Sequence, residues 1–303
     1  MNRLTSRLGM TPSTRLTPMK VARFWAGGLL LLALPLGAAE ALTDTNALRT
    51  MTFDNLIFEA QRYSSTDDKK AVKAQARDEV FRRGPDSLRW LLNHAYIDNI
   101  MVQVLTEEMV GRLKAEQAVP VLLEALDAAN PRVRRTSAYY LSLFTTPEHA
   151  DRLIPLLKDE EVCGAAIRTL GKWKTARAVP LIAPFLKHAK ETRRIAAANA
   201  LRDIGDPAAV PLLMEALGDP LFTVRETAAR GLTTLGPQAE RAMIQALPSA
   251  DDQTLRLLIR ALGAMPSHEA ARKLKPFLQH PDPAVRADAQ RAIEAIAAPR
   301  PAA

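Results

Sequence analysis

The chain has 303 residues, a formal net charge of +8 and one cysteine. A single cysteine cannot form an internal disulfide, so the chain is not one of the small scaffolds that disulfides hold together. Five of the basic residues and none of the acidic ones lie in residues 1–39. The remainder has 36 basic and 33 acidic side chains, a net charge of +3. This balance is too even to predict a nucleic-acid-binding protein from charge.

Residues 1–39 have the order of a secretory signal peptide: a basic region, an apolar run over 24–36, and then small residues. The apolar run holds 13 residues, fewer than the roughly 20 that a membrane-spanning helix needs. Ala39 and Ala41 both suit cleavage, and Met19 would begin a shorter leader. We therefore expect a periplasmic or secreted protein. An uncleaved single-helix anchor is the alternative, whereas a lipid anchor lacks the cysteine that would carry it.

A leucine returns about every thirty residues along the rest of the chain, with spacings of 29 to 31. These leucines are Leu126, Leu157, Leu186, Leu217, Leu247 and Leu278. Similar segments surround them, and the clearest copies are AVPVLLEAL, AVPLIAPFL and AVPLLMEAL, which end at Leu126, Leu186 and Leu217. Self-similarity at this period predicts a stacked array of repeats, in which each unit buries its apolar face against its neighbours.

Each unit has two apolar stretches at helical spacing with a polar turn between them, as residues 206–236 show. Asp206 and Pro207 form a helix start, because an N-cap acceptor precedes a proline of the first turn. Apolar residues then follow three and four positions apart. Residues 218–220 (Gly-Asp-Pro) end the first helix, and a second apolar stripe begins at Val224. The body of the chain has no period-two alternation, so the sequence predicts an all-α fold.

The second helix of each unit opens with a recurring pair, usually valine and arginine. The pairs are Val133-Arg134, Val224-Arg225, Leu255-Arg256 and Val285-Arg286, with Thr192-Arg193 and Val162-Cys163 as variants. Together with Asp-Pro turns at 219–220 and 282–283, these pairs resemble HEAT repeats, in particular the short bacterial PBS-lyase HEAT-like type. The resemblance covers about residues 84–298. It implies a right-handed α-α superhelix, a HEAT-like solenoid of about seven or eight helical hairpins.

The repeats divide the chain into four parts. We predict a signal peptide over 1–39, an N-terminal cap with degenerate repeats over 40–115, HEAT-like repeats over 116–298 and a disordered tail over 299–303. The first unit would act as the cap, because a repeat array needs a polar surface over its apolar end.

The resemblance also implies a role for the arginine of each pair. In that family the valine packs into the repeat core, and the arginine bonds to an acidic turn residue of a neighbouring repeat. The corresponding row here is Arg134, Arg193, Arg225, Arg256 and Arg286. Cys163 interrupts this row. A lone cysteine among apolar neighbours is typical of a small buried hydrophobe, and pairing with another chain is the alternative.

No set of reactive side chains in the sequence converges on a catalytic or metal site. His188 and His280 occupy equivalent turns three units apart, and since packed helices lie about 10 Å apart, the two rings cannot bind one metal. Deoxyhypusine hydroxylases, which are HEAT-like enzymes, hold iron through several His-Glu pairs, and this chain has one such dipeptide, at His268. The sequence has no Gly-rich phosphate loop and no Gly-x-Ser-x-Gly elbow. We therefore expect no enzyme activity, no cofactor and no metal site.

A candidate binding surface lies six residues after each valine, about 240° around the second helix from the core direction. This column reads Tyr139, Arg168, Ala198, Arg230, Ala261 and Arg291. The resemblance places second helices on the concave face of the solenoid, and arginine suits carboxylates and phosphates. We therefore predict partner binding by Tyr139, Arg168, Arg230 and Arg291. The alternative is a solvated helix face with local ion pairs, such as those of Arg291 with Asp288 and Glu294.

These observations predict an exported HEAT-repeat scaffold, without catalytic activity, that mediates protein–protein interaction. Its partner would be another protein with an acidic surface. Two other classes stay open. One is a HEAT-like enzyme or a cofactor- or chromophore-binding protein of the lyase type, which would co-purify with a metal or a chromophore. The other is a binder of polyanions or nucleic acid, which would bind with a steep dependence on salt and which conflicts with export.

Overall fold

The chain folds into seventeen α-helices and no strand across the residues that a computed structural model describes, which are 45–61, 66–94 and 100–298. In chain order the helices are α1 (Thr45–Thr50), α2 (Phe53–Gln61), α3 (Asp67–Arg82), α4 (Pro85–His94), α5 (Ile100–Arg112), α6 (Ala115–Ala125), α7 (Pro131–Leu141), α8 (Ala150–Leu153), α9 (Cys163–Lys172), α10 (Val179–Ile182), α11 (Glu191–Ile204), α12 (Val210–Ala216), α13 (Phe222–Leu235), α14 (Pro237–Ala246), α15 (Asp252–Gly263), α16 (His268–Leu274) and α17 (Pro283–Ala297). The predicted all-α fold is confirmed.

Within the described ranges the helices form eight successive hairpins. Every odd-numbered helix from α3 to α17 packs against the even-numbered helix before it, and the second helices α7, α9, α11, α13, α15 and α17 also pack side by side in that order. This arrangement is the predicted solenoid of helical hairpins. The second helices therefore make one continuous layer, and a site on that layer can draw side chains from several repeats.

Proline shortens several of the first helices. Helices α8, α10 and α16 each continue into a 3₁₀-helix, and these segments are Ile154–Lys158, Ala183–Lys187 and Lys275–Gln279. The second residue of each segment is a proline. Because proline lacks a backbone N–H and its ring crowds the preceding turn, the chain tightens into the 3₁₀ form there. A leucine two residues after each proline stays in contact with the core.

The leucines of the thirty-residue period lie inside the array. All of them are buried except Leu278, which is partly buried in the last hairpin. Cys163 is a free thiol and is buried as predicted, and burial raises the pKa of this thiol. The repeating apolar residues therefore form the seams between units, as expected for a repeat array.

Two glycines let neighbouring second helices approach closely. A Cβ on Gly171 of α9 would lie 2.7 Å from the Cα of Ala200 on α11. Likewise, a Cβ on Gly263 of α15 would lie 2.7 Å from the Cα of Ala292 on α17. Cβ atoms do not come this close to a backbone, so a larger residue at either glycine would push the two helices apart. These glycine–alanine contacts fix the spacing of the second helices.

An arginine four residues after the N-cap of a second helix holds the preceding turn closed. Its Nη1 donates hydrogen bonds to the carbonyls five and six residues before it. The arginines that do so are Arg134, Arg194, Arg225 and Arg286, at distances of 2.7 to 3.4 Å. Each of these arginines therefore satisfies two turn carbonyls that helix formation leaves without partners.

Two of these arginines also reach the turn of the next hairpin. Arg134 lies 2.6 Å from Asp159, and Arg194 lies 2.8 Å from Asp219. Burial alone would raise the pKa of Asp159, but the hydrogen bonds and charge of Arg134, together with the backbone N–H groups of Glu161 and Val162, more than offset it, so this pKa lies below its ordinary value. The acidic turn contact that the resemblance implies is therefore present at two junctions.

The structure corrects the predicted arginine row in α11. This helix has its N-cap at Lys190, so the row position four residues later belongs to Arg194 and not to Arg193. Aligning Thr192 with the valine of other repeats is wrong by one residue. Arg193 instead extends over α9, in the groove described below.

The predicted arginine row is also wrong in α15. Its N-cap is Asp251, so Leu255 takes the row position and Arg256 lies one residue beyond it. Arg256 instead donates through Nε to Asp288 of α17 at 2.7 Å, and Asp288 also accepts a hydrogen bond from Arg291. Burial alone would raise the pKa of Asp288, but the two arginines more than offset it and lower this pKa.

The predicted signal peptide at 1–39 and the predicted tail at 299–303 lie outside the described residues. Among the helices of the described ranges, none is long and apolar enough to cross a bilayer. The division into a cap over 40–115 and HEAT-like repeats over 116–298 stays a prediction.

Arg194→Ala should lower the free energy of unfolding by about 3 kcal/mol, because it leaves the carboxylate of Asp219 buried without its ion-pair partner. Arg225→Ala is the matched control at the same position of the next hairpin. It removes two bonds to turn carbonyls but breaks no ion pair within the described part of the chain, so we expect a loss of about 1 to 2 kcal/mol. Urea unfolding followed by circular dichroism measures both losses, and equal losses would contradict this account of the row.

Candidate functional site

A groove of about 680 Å³ lies where α5, α7, α9 and α11 expose neighbouring faces. Its lining has four arginines and one carboxylate, which are Arg132, Arg135, Arg168, Arg193 and Glu107. Two aromatic rings, those of Tyr139 and Tyr140, also line it. A positive surface with an exposed aromatic ring suits an anionic ligand, because arginine forks bind carboxylates and rings pack against apolar groups.

Tyr139 and Arg168 form the exposed centre of this groove. Tyr139 of α7 is 42% exposed, and the guanidinium carbon of Arg168 on α9 lies 5.6 Å from the centroid of its ring. Within the described ranges Arg168 has no ion pair or hydrogen bond to a carboxylate. Arg135, by contrast, lies 3.8 Å from Glu161. Arg168 therefore keeps all its guanidinium donors available for a ligand.

Tyr140 forms the floor of the groove beneath Tyr139. Its side chain is buried, and its ring meets the Tyr139 ring edge-on with the centroids 5.4 Å apart. Burial, with a smaller contribution from the negative charge of Glu107, raises the pKa of Tyr140 to about 12. The hydroxyl of Tyr140 therefore stays protonated at neutral pH and serves as a neutral group in the groove.

A glycine makes room for Arg193 at the next helix. A Cβ on Gly164 of α9 would lie 1.8 Å from Nη1 of Arg193, which reaches across from α11. Nη2 of Arg193 donates to the carbonyl of Glu160 at 2.6 Å. Arg193 therefore contributes its positive charge to the groove from a fixed position. The sequence analysis missed Gly164, although a glycine at the start of a helix is the signal that marks it.

The other two predicted arginines do not join this groove. Arg230 of α13 pairs with Glu226 of its own helix at 3.2 Å, and Arg291 of α17 pairs with Asp288. These are the local ion pairs of the alternative interpretation. The structure therefore brings Tyr139 and Arg168 together and leaves Arg230 and Arg291 on other parts of the layer.

The predicted column is wrong at two positions, because Ala198 and Ala261 are buried. The position of Tyr139, which the column was meant to follow, lies nine residues after the N-cap of the second helix. At this position the second helices have Tyr139, Asn199, Arg230, Arg260 and Arg291. An error of one residue turns a side chain by about 100°, which is enough to move it from solvent to core. Counting from the N-cap finds Asn199 and Arg260, which the sequence analysis missed.

The two histidines at equivalent turns have structural contacts. The Nδ1 atoms of His188 and His280 face the backbone N–H groups of Lys190 and Asp282, at 3.0 and 3.2 Å. Both rings therefore support the turn before a second helix. Across the described ranges, no group of three or more His, Cys, Asp or Glu side chains is placed to hold a metal ion.

Comparison with known families identifies the repeats. Residues 86–163 and 151–233 match the family model for HEAT repeats. These ranges include α5 to α12 and most of α4 and α13, so they contain the whole groove.

Two similar proteins share a name. Phycocyanobilin lyase subunit alpha of Nostoc sp. (strain PCC 7120) is 28% identical over 209 residues, which cover 64% of this chain and 67% of that protein. The protein of the same name from Picosynechococcus sp. (strain PCC 7002) is 34% identical over 110 residues, 32% of this chain and 41% of that protein. Among solved structures, an engineered protein is 18% identical, covering 86% of this chain and 81% of its own, with a TM-score of 0.45.

The prediction that this chain is not an enzyme is contradicted by these relatives. Both are named as subunits of a lyase, although their identity to this chain is low. The reasoning behind that prediction relied on the absence of recognised catalytic motifs from the sequence. The groove of arginines and tyrosines does not correspond to any of those motifs.

Gly164→Ala should fail to stabilise the protein, whereas the matched change Gly111→Ala should stabilise it. A Cβ on Gly111 of α5 would meet no atom of the described residues within 4 Å, so alanine there should add about 0.5 to 1 kcal/mol through its higher helix propensity. A Cβ on Gly164 displaces the end of the Arg193 side chain and its hydrogen bond to Glu160, which offsets that gain. Urea unfolding measures both, and an equal gain would show that Arg193 does not occupy the space over Gly164.

Proposed function

Because this chain is a HEAT repeat protein, we propose that it is a repeat scaffold that binds a carboxylate-bearing segment of a partner protein. The binding site is the groove between α5, α7, α9 and α11. The observation that carries the proposal is Arg168, an exposed arginine beside the Tyr139 ring with no carboxylate partner within the described residues. An exposed guanidinium without a carboxylate partner can donate its hydrogen bonds to a ligand.

The charges around Arg168 favour an acidic ligand. The groove lining has four arginines against one glutamate. Arg230 and Arg291, which are also exposed, already have carboxylates beside them. A carboxylate that enters the groove therefore meets positive charge that no carboxylate of the lining fully offsets. Electrostatic complementarity of this kind increases association rates and selects among partners.

Arg168→Gln should weaken binding of the acidic partner at least about tenfold, because it removes charge-assisted hydrogen bonds worth about 1.4 kcal/mol or more. The melting temperature should stay nearly unchanged, since this exposed arginine has no ion pair with any described residue. A photoreactive phenylalanine at Tyr139 in native cells would identify the partner, and calorimetry with the purified partner measures the affinity. The same cross-linker at Leu181 of α10 is the control for non-specific capture.

Arg230→Gln is the matched control, because Arg230 is exposed but already paired with Glu226. It should leave the affinity within about twofold of the original, as expected for a screened surface charge outside the groove. If Arg168→Gln binds the cross-linked partner as tightly as Arg230→Gln does, the proposed function is wrong.

A second candidate is a lyase-like protein that binds an open-chain tetrapyrrole, and the names of the relatives favour it. Such a molecule carries propionate carboxylates and a long conjugated system. Arg168 suits the carboxylates, and the exposed ring of Tyr139 suits the conjugated system. The groove volume of about 680 Å³ also lies in the range of small-molecule sites.

Titration with phycocyanobilin separates the two candidates. A saturable change in absorption that Arg168→Gln weakens and Arg230→Gln leaves intact supports the tetrapyrrole. An unchanged spectrum at ligand concentrations well above those of the protein rejects it and leaves the protein partner.

We also propose that residues 1–39 direct export and are removed, so that the mature chain begins at Glu40 or Leu42. The basic, apolar and small regions of this segment support the proposal. N-terminal sequencing of the protein from the periplasmic or secreted fraction checks it. An intact leader in the membrane fraction would indicate an anchored protein, and an intact chain in the cytoplasm would contradict export.

A further inference from the structure

An apolar strip on α5 continues the groove beyond its charged part. Ile100 is 78% exposed and Val104, one turn later, is 37% exposed. Single exposed apolar residues are common, but a pair on one face beside a groove points to a binding partner. The groove residues Gln103 and Glu107 belong to the same helix.

The helix geometry puts the strip beside the groove. At 100° per residue, Glu107 lies about 20° from Ile100 on one side and about 40° from the groove residue Gln103 on the other. Met109 and Val102, on the opposite side of α5, are buried. The apolar strip on α5, the Tyr139 ring on α7 and the Arg168 guanidinium on α9 therefore follow one another across the layer.

The charges set the direction of a ligand across this surface. Glu107 lies at the α5 side of the groove, whereas Arg168 and Arg193 come from α9 and α11. A carboxylate would be repelled beside α5 and attracted at α9. An apolar side chain, by contrast, finds its contact area beside Glu107 on α5. One ligand with both groups therefore fits in one direction only.

From these positions we propose that the groove binds an extended peptide segment of a partner protein, in which an apolar side chain and a carboxylate lie about six residues apart. The apolar side chain contacts Ile100 and Val104, the peptide crosses Tyr139, and the carboxylate binds Arg168. Helix α7 lies between α5 and α9 in the groove, so at roughly 10 Å for each step from helix to helix the span is on the order of 20 Å. An extended chain advances about 3.3 Å per residue, so about six residues cover that span.

The positive charge of the groove also excludes residues 1–39 of this chain as its occupant. Residues 1–39 have five basic and no acidic side chains, so they cannot supply the carboxylate for Arg168. A nucleic acid is disfavoured as well, because its continuous phosphates would meet Glu107 and the apolar strip. A partner peptide with one apolar and one acidic residue satisfies both ends of the groove.

This inference rests on the proposed function and is tested with synthetic peptides and the full chain. The probes are fluorescein-labelled Ser/Thr-rich peptides with Leu followed by Asp at a separation of six or of two residues, and the same peptides with Asn in place of Asp. Fluorescence anisotropy measures affinity. The six-residue Asp peptide should bind at least about tenfold more tightly than the two-residue Asp peptide, a difference of about 1.4 kcal/mol.

Two variants, each with a matched control, test the apolar end and the charged end of the groove. Val104→Ser should weaken the six-residue peptide about five- to tenfold, whereas Leu181→Ser, at an apolar side chain of α10 with 43% exposure and outside the groove lining, should have no effect. Arg168→Gln should make the Asp and Asn peptides bind equally, and Arg230→Gln should not. These paired changes are at exposed positions, so differences in folding do not explain the result.

The outcomes separate the inference from the proposed function. If Asp peptides bind through Arg168 at either separation alike, the six-residue spacing is wrong and the proposed function stands. If Asp and Asn peptides bind equally to the unchanged protein, both are wrong. If Val104→Ser instead converts a dimer to a monomer in sedimentation equilibrium, a second copy of the chain covers the strip and the inference is overturned.

Discussion

The close packing of second helices is the constraint on which the rest of this structure depends. A two-helix hairpin cannot bury its apolar face alone, so each unit is stable only against its neighbours. The contacts of Gly171 with Ala200 and of Gly263 with Ala292 show how near these helices come. Because this spacing is small, side chains from three or four successive repeats lie within reach of one ligand. The part of the groove between α7 and α11 exists for that reason.

Within this layer the surroundings decide what each arginine does. Arg194 is mostly buried against Asp219 and belongs to the fold, whereas Arg168 is exposed and has no carboxylate partner among the described residues. Arg193 lines the groove but is also bound to the fold, since its guanidinium lies over Gly164 and donates to the carbonyl of Glu160. An arginine in this layer therefore stabilises a turn, holds a positive charge in the groove or remains available to a ligand, depending on the groups around it. Composition alone cannot distinguish these cases.

The sequence predicted the repeat period, the hairpins and the core leucines, because apolar periodicity reflects burial directly. It did not predict the rotation of α11 and α15, where Arg193, Arg256, Ala198 and Ala261 were each assigned one residue from the correct position. Rotation depends on where a helix begins. Lys190 caps α11 without a side-chain acceptor, so the sequence carried no signal there. In α15 the signal was present, since Asp251 accepts two backbone N–H groups, but Asp252 beside it is an equally good candidate from sequence alone.

The groove occurs where the repeat pattern is least regular. Helices α7, α11 and α13 each have an arginine at the row position. In α9 the corresponding residue is Cys163, whose backbone N–H donates to the carbonyl of Asp159 four residues earlier, and Gly164 follows it. The small residues leave space over the start of α9, and Arg193 of the following repeat fills it from outside. A regular row arginine here would bond to its own turn, as Arg134 and Arg225 do. The turn before α9 therefore lacks a row arginine of its own, and Arg193 of the next hairpin bonds to that turn and adds its positive charge to the groove that Arg168 also lines. A local break in a pattern that is otherwise maintained is where a functional site is expected, since the fold alone does not require it.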